Sequence, residues 1–269
     1  MRTLSLAHLT VLDAAPPALV SAAAEAGFDA VGIRLVTPAS VGGPVHDLLH
    51  DHALREATVR RLADTGLTVL DVEFLRFEPD QPGPEPAHFL EVGAELGARN
   101  VLVMSVEPDT LRTVERFVDL CERAAPFGLT VNLEFAVYTG VQTLQDAVAI
   151  VEQAGQPNAA VLVDVTHFSR SGGVPAEVSN VDRRWLSYAQ ICDVAPATPA
   201  DNAARIAEAR TDRRLPGLGV FPVAELVARL PADLPLAVEA PVRALARLSV
   251  EDRARRAYAA ISQVLEVHV

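Results

Sequence analysis

Eight short apolar runs recur along this 269-residue chain at intervals of about 30 residues, each followed by a stretch of helical patterning. They fall at residues 3–8, 30–35, 67–74, 100–105, 129–134, 161–164, 186–192 and 234–239. Strands separated by helices pair in parallel, because a parallel neighbour is reached only by a crossover connection. The helical signals run from Pro16 to Ala26 with Gly27 as stop, Leu48 to Thr65 before Gly66, Ala87 to Leu96 before Gly97, Pro108 to Ala124, Leu144 to Gln153, Pro222 to Leu230 and Val250 to Leu265. Pro/Gly-rich loops at 37–44 and 78–86, a turn at Ser171-Gly172-Gly173 and a long irregular segment at 193–220 complete the pattern. The expectation is an α/β chain closed into a (β/α)8 TIM barrel, one domain over residues 1–269, close to the about 250 residues such a barrel needs. An open doubly wound sheet is disfavoured: no Gly-x-Gly-x-x-Gly follows the first strand, and the candidate polar residues sit at several strand ends.

Composition narrows the chemistry. No apolar run reaches the ~18 residues of a membrane span and no basic stretch precedes a signal-peptide core, so a cytoplasmic protein is expected, with no membrane partner. Cys121 and Cys192 both lie in apolar surroundings and are expected as buried free thiols. A net charge of -12, from 35 acids against 23 bases, disfavours non-specific nucleic-acid binding. Every one of those bases is arginine. A chain without lysine has no Schiff-base nucleophile, no pyridoxal-phosphate anchor and no Walker A loop.

Four consecutive strands end on polar groups: Glu134 on the fifth, Asp164 on the sixth, Gln190 within the seventh and Glu239 on the eighth. A carboxylate at the end of a buried strand must be paired, protonated or bound to a metal. In a closed barrel these ends converge at the C-terminal mouth, where such folds place their active sites. Together they offer oxygen ligands to one divalent cation, Mg²⁺ or Mn²⁺ rather than the nitrogen- and sulfur-seeking Zn²⁺. Each acid could instead cap a helix or pair at the surface. His167 stands three residues past Asp164, and Arg34 and Glu73 close earlier strands, where they line the pocket or pair with each other. Arg210, Arg213 and Arg214 form a cationic cluster, Arg210 being the first choice as an anchor for substrate and surface salt bridging the alternative for each. His8 is read as packing on the first strand, Asp193 as support or a loop cap, and the trio His46, His50 and His52 as a solvated helix face.

Several motifs in order resemble the sugar phosphate isomerase/epimerase superfamily of xylose isomerase-like TIM barrels. They are Ala23-Ala24-Glu25-Ala26-Gly27-Phe28-Asp29-Ala30-Val31-Gly32-Ile33, Asn132-Leu133-Glu134, Asp164-Val165-Thr166-His167, Gln190-Ile191-Cys192-Asp193 and, over residues 210–219, an Arg-x-x-Arg-x-x-Pro-Gly-x-Gly. The resemblance covers nearly the whole chain. It implies one metal held by Glu134, Asp164, Gln190 and Glu239, with His167 and an arginine of the 210–214 loop touching substrate, and it implies a homodimer as a common assembly. Many members carry histidine where this chain has Gln190, and glutamine is found in some dehydratase-type relatives.

The chemistry also follows from the donor set. A divalent ion on a substrate carbonyl and its neighbouring hydroxyl acidifies the adjacent C–H and stabilises the enediolate, and Glu134 and Glu239 are placed to remove and return the proton. Returning it to the other carbon isomerises, to the other face epimerises, and loss of a β-hydroxyl dehydrates. The leading expectation is therefore a metal-dependent isomerase or epimerase of a keto-sugar or related polyol. Behind it stand a dehydratase of the 3-dehydroshikimate type and a non-catalytic sugar-binding barrel. A repair endonuclease on the same barrel is disfavoured by the acidic balance and the few histidines.

Overall fold

The computed structural model describes residues 2–37, 45–79 and 86–266. Eight parallel strands close into a ring in sequence order: β1 (Leu4–Ala7), β2 (Ala30–Arg34), β3 (Thr68–Phe77), β4 (Asn100–Ser105), β5 (Thr130–Glu134), β6 (Ala159–Asp164), β7 (Ala189–Ile191) and β8 (Leu236–Val238). Closure is made by β1 on β8, with Leu6 beside Val238, so the barrel has no free edge. Outside the ring lie α1 (Pro16–Ala26), α2 (His52–Thr65), α3 (Pro86–Glu95), α4 (Thr110–Ala124), α5 (Leu144–Ala154), α6 (Val165–Arg170), α7 (Asn202–Thr211), α8 (Val223–Arg229) and α9 (Val250–Glu266). None is long and apolar enough to cross a membrane, among the described residues.

Local chemistry sets these boundaries. Pro16 opens α1 where an orphan N–H is not needed, and Gly27 closes it at φ 101°, its N–H reaching the carbonyls of Ala23 and Ala24. A side chain at Gly27 would also meet the Tyr258 ring of α9, which stacks edge-on against Phe28. Thr143 and Asp146 form a reciprocal capping box at the start of α5. The larger core lies between strands and helices, and a smaller one fills the barrel with Ala7, Ala30, Leu70, Leu102, Leu162, Tyr188 and Ala237. Alternation along each strand thus sends one set of side chains outward to the helices and the other into the ring.

Some local expectations are corrected. His8 is not on β1 but in a 3-10 turn behind it (His8–Val11), fully buried, with one ring nitrogen on the Ala14 carbonyl and the other accepting from the Arg34 N–H. The α2 helix starts at His52, capped by Asp51, rather than at Leu48. His46, His50 and His52 therefore share no helix face: His46 is buried and stacks on His8, while exposed His50 bonds Asp47. Strand β3 runs on to Phe77 and β7 is only three residues long. The segment 193–220 is not irregular throughout, because Asp201 caps the ten-residue helix α7. Both cysteines are free and buried, as expected. The loop expected at 37–44 and most of that at 78–86 lie outside the described residues.

Candidate active site

The C-terminal ends of the strands open on a cavity of about 280 Å³. Glu134, His167, Arg34, Glu73, Arg210, Arg213 and Glu239 all line it. Asp164 and Gln190, with no exposed surface, lie just behind and reach it through hydrogen bonds to Arg213 and Glu239.

Strand geometry supplies this convergence. Glu134 is the last residue of β5 and pairs in register with Leu162 of β6, while Asp164 of β6 pairs with Gln190 of β7. Glu239 follows β8 immediately, its N–H bonded to the Ile191 carbonyl at 3.1 Å. Asp164 also caps α6: its Oδ1 accepts the His167 N–H at 3.0 Å, so a strand end and the next helix start share one carboxylate. That cap fixes His167, whose Nε2 lies 3.7 Å from Glu134 Oε1 and whose ring meets Tyr138 edge-on. Arg34 and Glu73 realise both readings of the sequence at once, lining the cavity and pairing with each other at 2.8 Å.

The hub of the site is Arg213. Only 2% exposed, it donates from Nη1 to Asp164 Oδ2 at 2.5 Å and from Nη2 to Glu239 Oε2 at 2.8 Å. Its Nε donates to the Ala209 carbonyl, and Nη1 also reaches the Glu239 carbonyl. Sequence reading placed Arg213 among three equivalent arginines and preferred Arg210; its position as the second arginine of the Arg-x-x-Arg-x-x-Pro-Gly motif was the available signal. Arg210 stands at the exposed rim of the cavity and has neither a hydrogen bond nor an ion pair among the described residues, whereas Arg214 turns away to Asp212. Tyr138 and Arg76 also line the cavity, which the sequence did not reveal. Asp193 is the loop cap expected of it, accepting the N–H groups of Val194, Gly219 and Phe221.

Burial governs the protonation states. Removal from water, reinforced by Asp164 and Glu239, pushes the Glu134 carboxyl well above the usual range. Burial likewise raises Glu239 to about 8 against the opposing pull of Arg213. Asp71, deeper in the barrel, is raised by burial and by its neighbours Glu73 and Glu239. Burial lowers His167 to about 4, so its imidazole is neutral at physiological pH. Arg213 is held firmly charged because Asp164 and Glu239 outweigh the burial that opposes it.

Four carboxylates gather here, Glu73, Glu134, Asp164 and Glu239, and two guanidinium groups, Arg34 and Arg213, answer them. Gln190 Oε1 is a buried acceptor with no hydrogen-bond partner among the described residues, while its amide nitrogen is used on Glu239. The donor set is all oxygen, so these residues fit a hard divalent ion. As the side chains stand, however, no three His, Cys, Asp or Glu groups among the described residues are clustered as ion ligands. Arg213 bridges two of the carboxylates instead.

The model of the xylose isomerase-like TIM barrel family matches residues 20–262. The chain belongs to that family. Solved structures share the architecture. A xylose isomerase-like TIM barrel/4-hydroxyphenylpyruvate dioxygenase fusion protein superposes with a TM-score of 0.82 at 22% identity over 99% of this chain. This chain spans only 43% of that protein's length. The IolI protein, solved with a bound zinc atom, gives 0.81 at 19% identity over 99% of both chains. D-allulose 3-epimerase from Methylomonas sp., in complex with D-allulose, gives 0.70 at 16% identity over 97% of this chain and 96% of its own. No curated protein sequence matches. At such identities the likeness establishes the shared fold.

Proposed function

We propose that this family member is a divalent-metal-dependent isomerase or epimerase of a keto-sugar or related polyol, acting by proton abstraction next to a carbonyl through an enediolate. One observation carries the reading: two buried glutamates, Glu134 from β5 and Glu239 from the end of β8, face one cavity from strands three positions apart in the ring, and both are shifted upward by burial. Burial that raises both carboxyls makes them more basic, which suits groups that take a proton from carbon and return it. The occurrence of D-allulose in a barrel of the same fold supports a carbohydrate substrate.

The proposed ion, Mg²⁺ or Mn²⁺, would be held by Glu134, Asp164, Gln190 and Glu239 and would supply Lewis acidity at the substrate carbonyl. The chain's own groups do the rest. Neutral His167 donates a hydrogen bond to a substrate oxygen, with Asp164 fixing its backbone and Tyr138 its ring. Glu134 and Glu239 take and return the proton from their two sides. Arg34, oriented by Glu73, closes the early-strand side of the cavity. Turnover of a ketose panel with Mn²⁺ in deuterium oxide tests the assignment: solvent deuterium should appear at the carbon next to the carbonyl, and both Glu134→Gln and Glu239→Gln should abolish it. Exchange that persists undiminished in Glu239→Gln would remove the proton-transfer role.

A second reading, a dehydratase of the 3-dehydroshikimate type, is favoured by the cavity wall. Leu9, Phe74, Leu102 and Met104 line the same cavity as Arg210, which has no ion pair among the described residues, a combination suited to a carboxylated ring more than to a chain of hydroxyls. Parallel incubation with 3-dehydroshikimate distinguishes the two, since an aromatic product raises ultraviolet absorbance. Failure of both assays across ketoses and cyclic keto acids would leave a sugar-binding barrel without turnover.

A further inference from the structure

Resting on the ion-ligand reading of Glu134, Asp164, Gln190 and Glu239, we propose that Arg213 is the built-in counter-cation of the ion-free site. In this arrangement Arg213 and a divalent ion compete for the same carboxylates, and loading the ion displaces the guanidinium.

Three observations lead there. The first is occupancy of the oxygens. Every carboxylate oxygen of Asp164 and Glu239 already holds a donor: Asp164 Oδ1 the His167 N–H, Asp164 Oδ2 and Glu239 Oε2 the two Nη atoms of Arg213, and Glu239 Oε1 the Gln190 amide. The other two proposed ligands are poorly engaged: among the described residues Gln190 Oε1 has no hydrogen-bond partner, and Glu134 meets His167 at 3.7 Å. Half of the set is thus free to receive an ion and half is held by arginine.

The second is charge. A guanidinium and a divalent ion sharing two carboxylates in a buried site repel strongly, because low dielectric magnifies like-charge contacts as much as attractive ones. The third is that Arg213 has somewhere to go and something to stay attached to. It lines the cavity, into which its side chain would turn on releasing the Ala209 and Glu239 carbonyls as well as the two carboxylates. Its backbone N–H remains fixed to the Pro241 carbonyl and the flanking Arg214 to Asp193, so the loop need not move. The consequence is a barrel whose acidic mouth stays assembled without metal. Its affinity for the ion is weakened by the work of evicting an internal cation.

Calorimetric titration of the full-length, metal-stripped protein with Mn²⁺ alone is the test, run on wild type, Arg213→Met, Arg213→Lys and Arg214→Met, with thermal unfolding followed in parallel. Arg213→Met should bind Mn²⁺ at least about tenfold more tightly than wild type, since a full opposing charge leaves the site. Ion-free Arg213→Met should melt below wild type, and added Mn²⁺ should close most of that gap. Arg213→Lys, which keeps the charge but cannot bridge both carboxylates, should fall between, and it carries the test if Arg213→Met does not fold. Arg214→Met, bonded away from the cavity, should leave the affinity unchanged. If wild type binds Mn²⁺ and removal of the guanidinium leaves affinity equal or weaker, Arg213 is a support for the ion ligands and the competition is overturned. If no variant binds Mn²⁺ or Mg²⁺, the ion-ligand reading itself has failed, and the competition with it.

Discussion

Asp193→Asn changes one atom of the carboxylate and should cost this protein about 2–5 kcal/mol, far more than an exposed isosteric swap. Asp193 is 1% exposed and collects three backbone N–H groups: Val194 at 2.8 Å and Phe221 at 3.0 Å on Oδ1, and Gly219 at 2.9 Å on Oδ2. An asparagine keeps its carbonyl oxygen for the first two, which lose charge assistance, at about 0.5–1 kcal/mol each. Its NH₂ then faces the Gly219 N–H, a buried donor against a donor, adding about 1–3 kcal/mol. Gly219 lies so close to the Val194 carbonyl and the Asp193 carboxylate that no side chain fits there. The Asp193 backbone also exchanges two 2.8 Å hydrogen bonds with Arg214, next to the hub of the site, so the same change should loosen Arg213. Urea unfolding followed by circular dichroism should show a lower midpoint at unchanged slope, with faster hydrogen exchange at the Gly219 and Phe221 amides. A midpoint equivalent to wild type within about 0.5 kcal/mol would refute the assignment of this carboxylate as the organiser of the loop.

Arg170→Met should destabilise by about 3–5 kcal/mol, because Glu208, paired with Arg170 through both oxygens and 8% exposed, is left as a buried charge. Its companion readout is increased exchange in α7, since Arg170 also ties down the Ala195 carbonyl. Between about pH 6.5 and 8 stability should fall as pH rises: the folded state retains the Glu239 proton, with a pKa near 8, while the unfolded state has ionised near its ordinary 4.5. Below that window His8 and His167, both lowered to about 4, act in the opposite sense, since the unfolded chain then binds the extra protons. Urea midpoints across the pH range should therefore show a smaller decline from 6.5 to 8 in Glu239→Gln than in wild type. An identical decline would detach the effect from this residue. Gly32→Ala should lose about 1–3 kcal/mol, because a methyl group inside the barrel would stand 2.7 Å from Asp71 Oδ1; a neutral result in thermal unfolding would mean that Asp71 has room to move.

The strand ends were legible because two periodicities meet there. An apolar run that closes on an acid on three strands and carries an amide near the end of a fourth is a statement about a barrel mouth before any coordinate is known. Glu134, Asp164, Gln190 and Glu239 accordingly lie beside one another. The α7 helix was also written locally, in Asp201 followed by Asn-Ala-Ala-Arg-Ile-Ala-Glu-Ala-Arg, but nearby prolines and arginines hid it. The extension of β3 and the late start of α2 follow from pairing and capping, which propensity alone weighs poorly.

Sequence by itself determined the architecture, because alternation of strand and helix and the closure of eight parallel strands are local patterns repeated until only one ring satisfies them. It also marked Glu134 and Glu239 for the mouth as strand-end acids, though not Tyr138 or Arg76. What the folded structure alone decided is how the charges answer one another. Arg210, Arg213 and Arg214 are equivalent as neighbours in a loop, and only the return of that loop across β6 to β8 buries the middle one between Asp164 and Glu239. It leaves the first at the cavity rim and turns the third to Asp212. Pairing of ions depends on through-space distance and on the water excluded around them, and neither is a property of position along the chain.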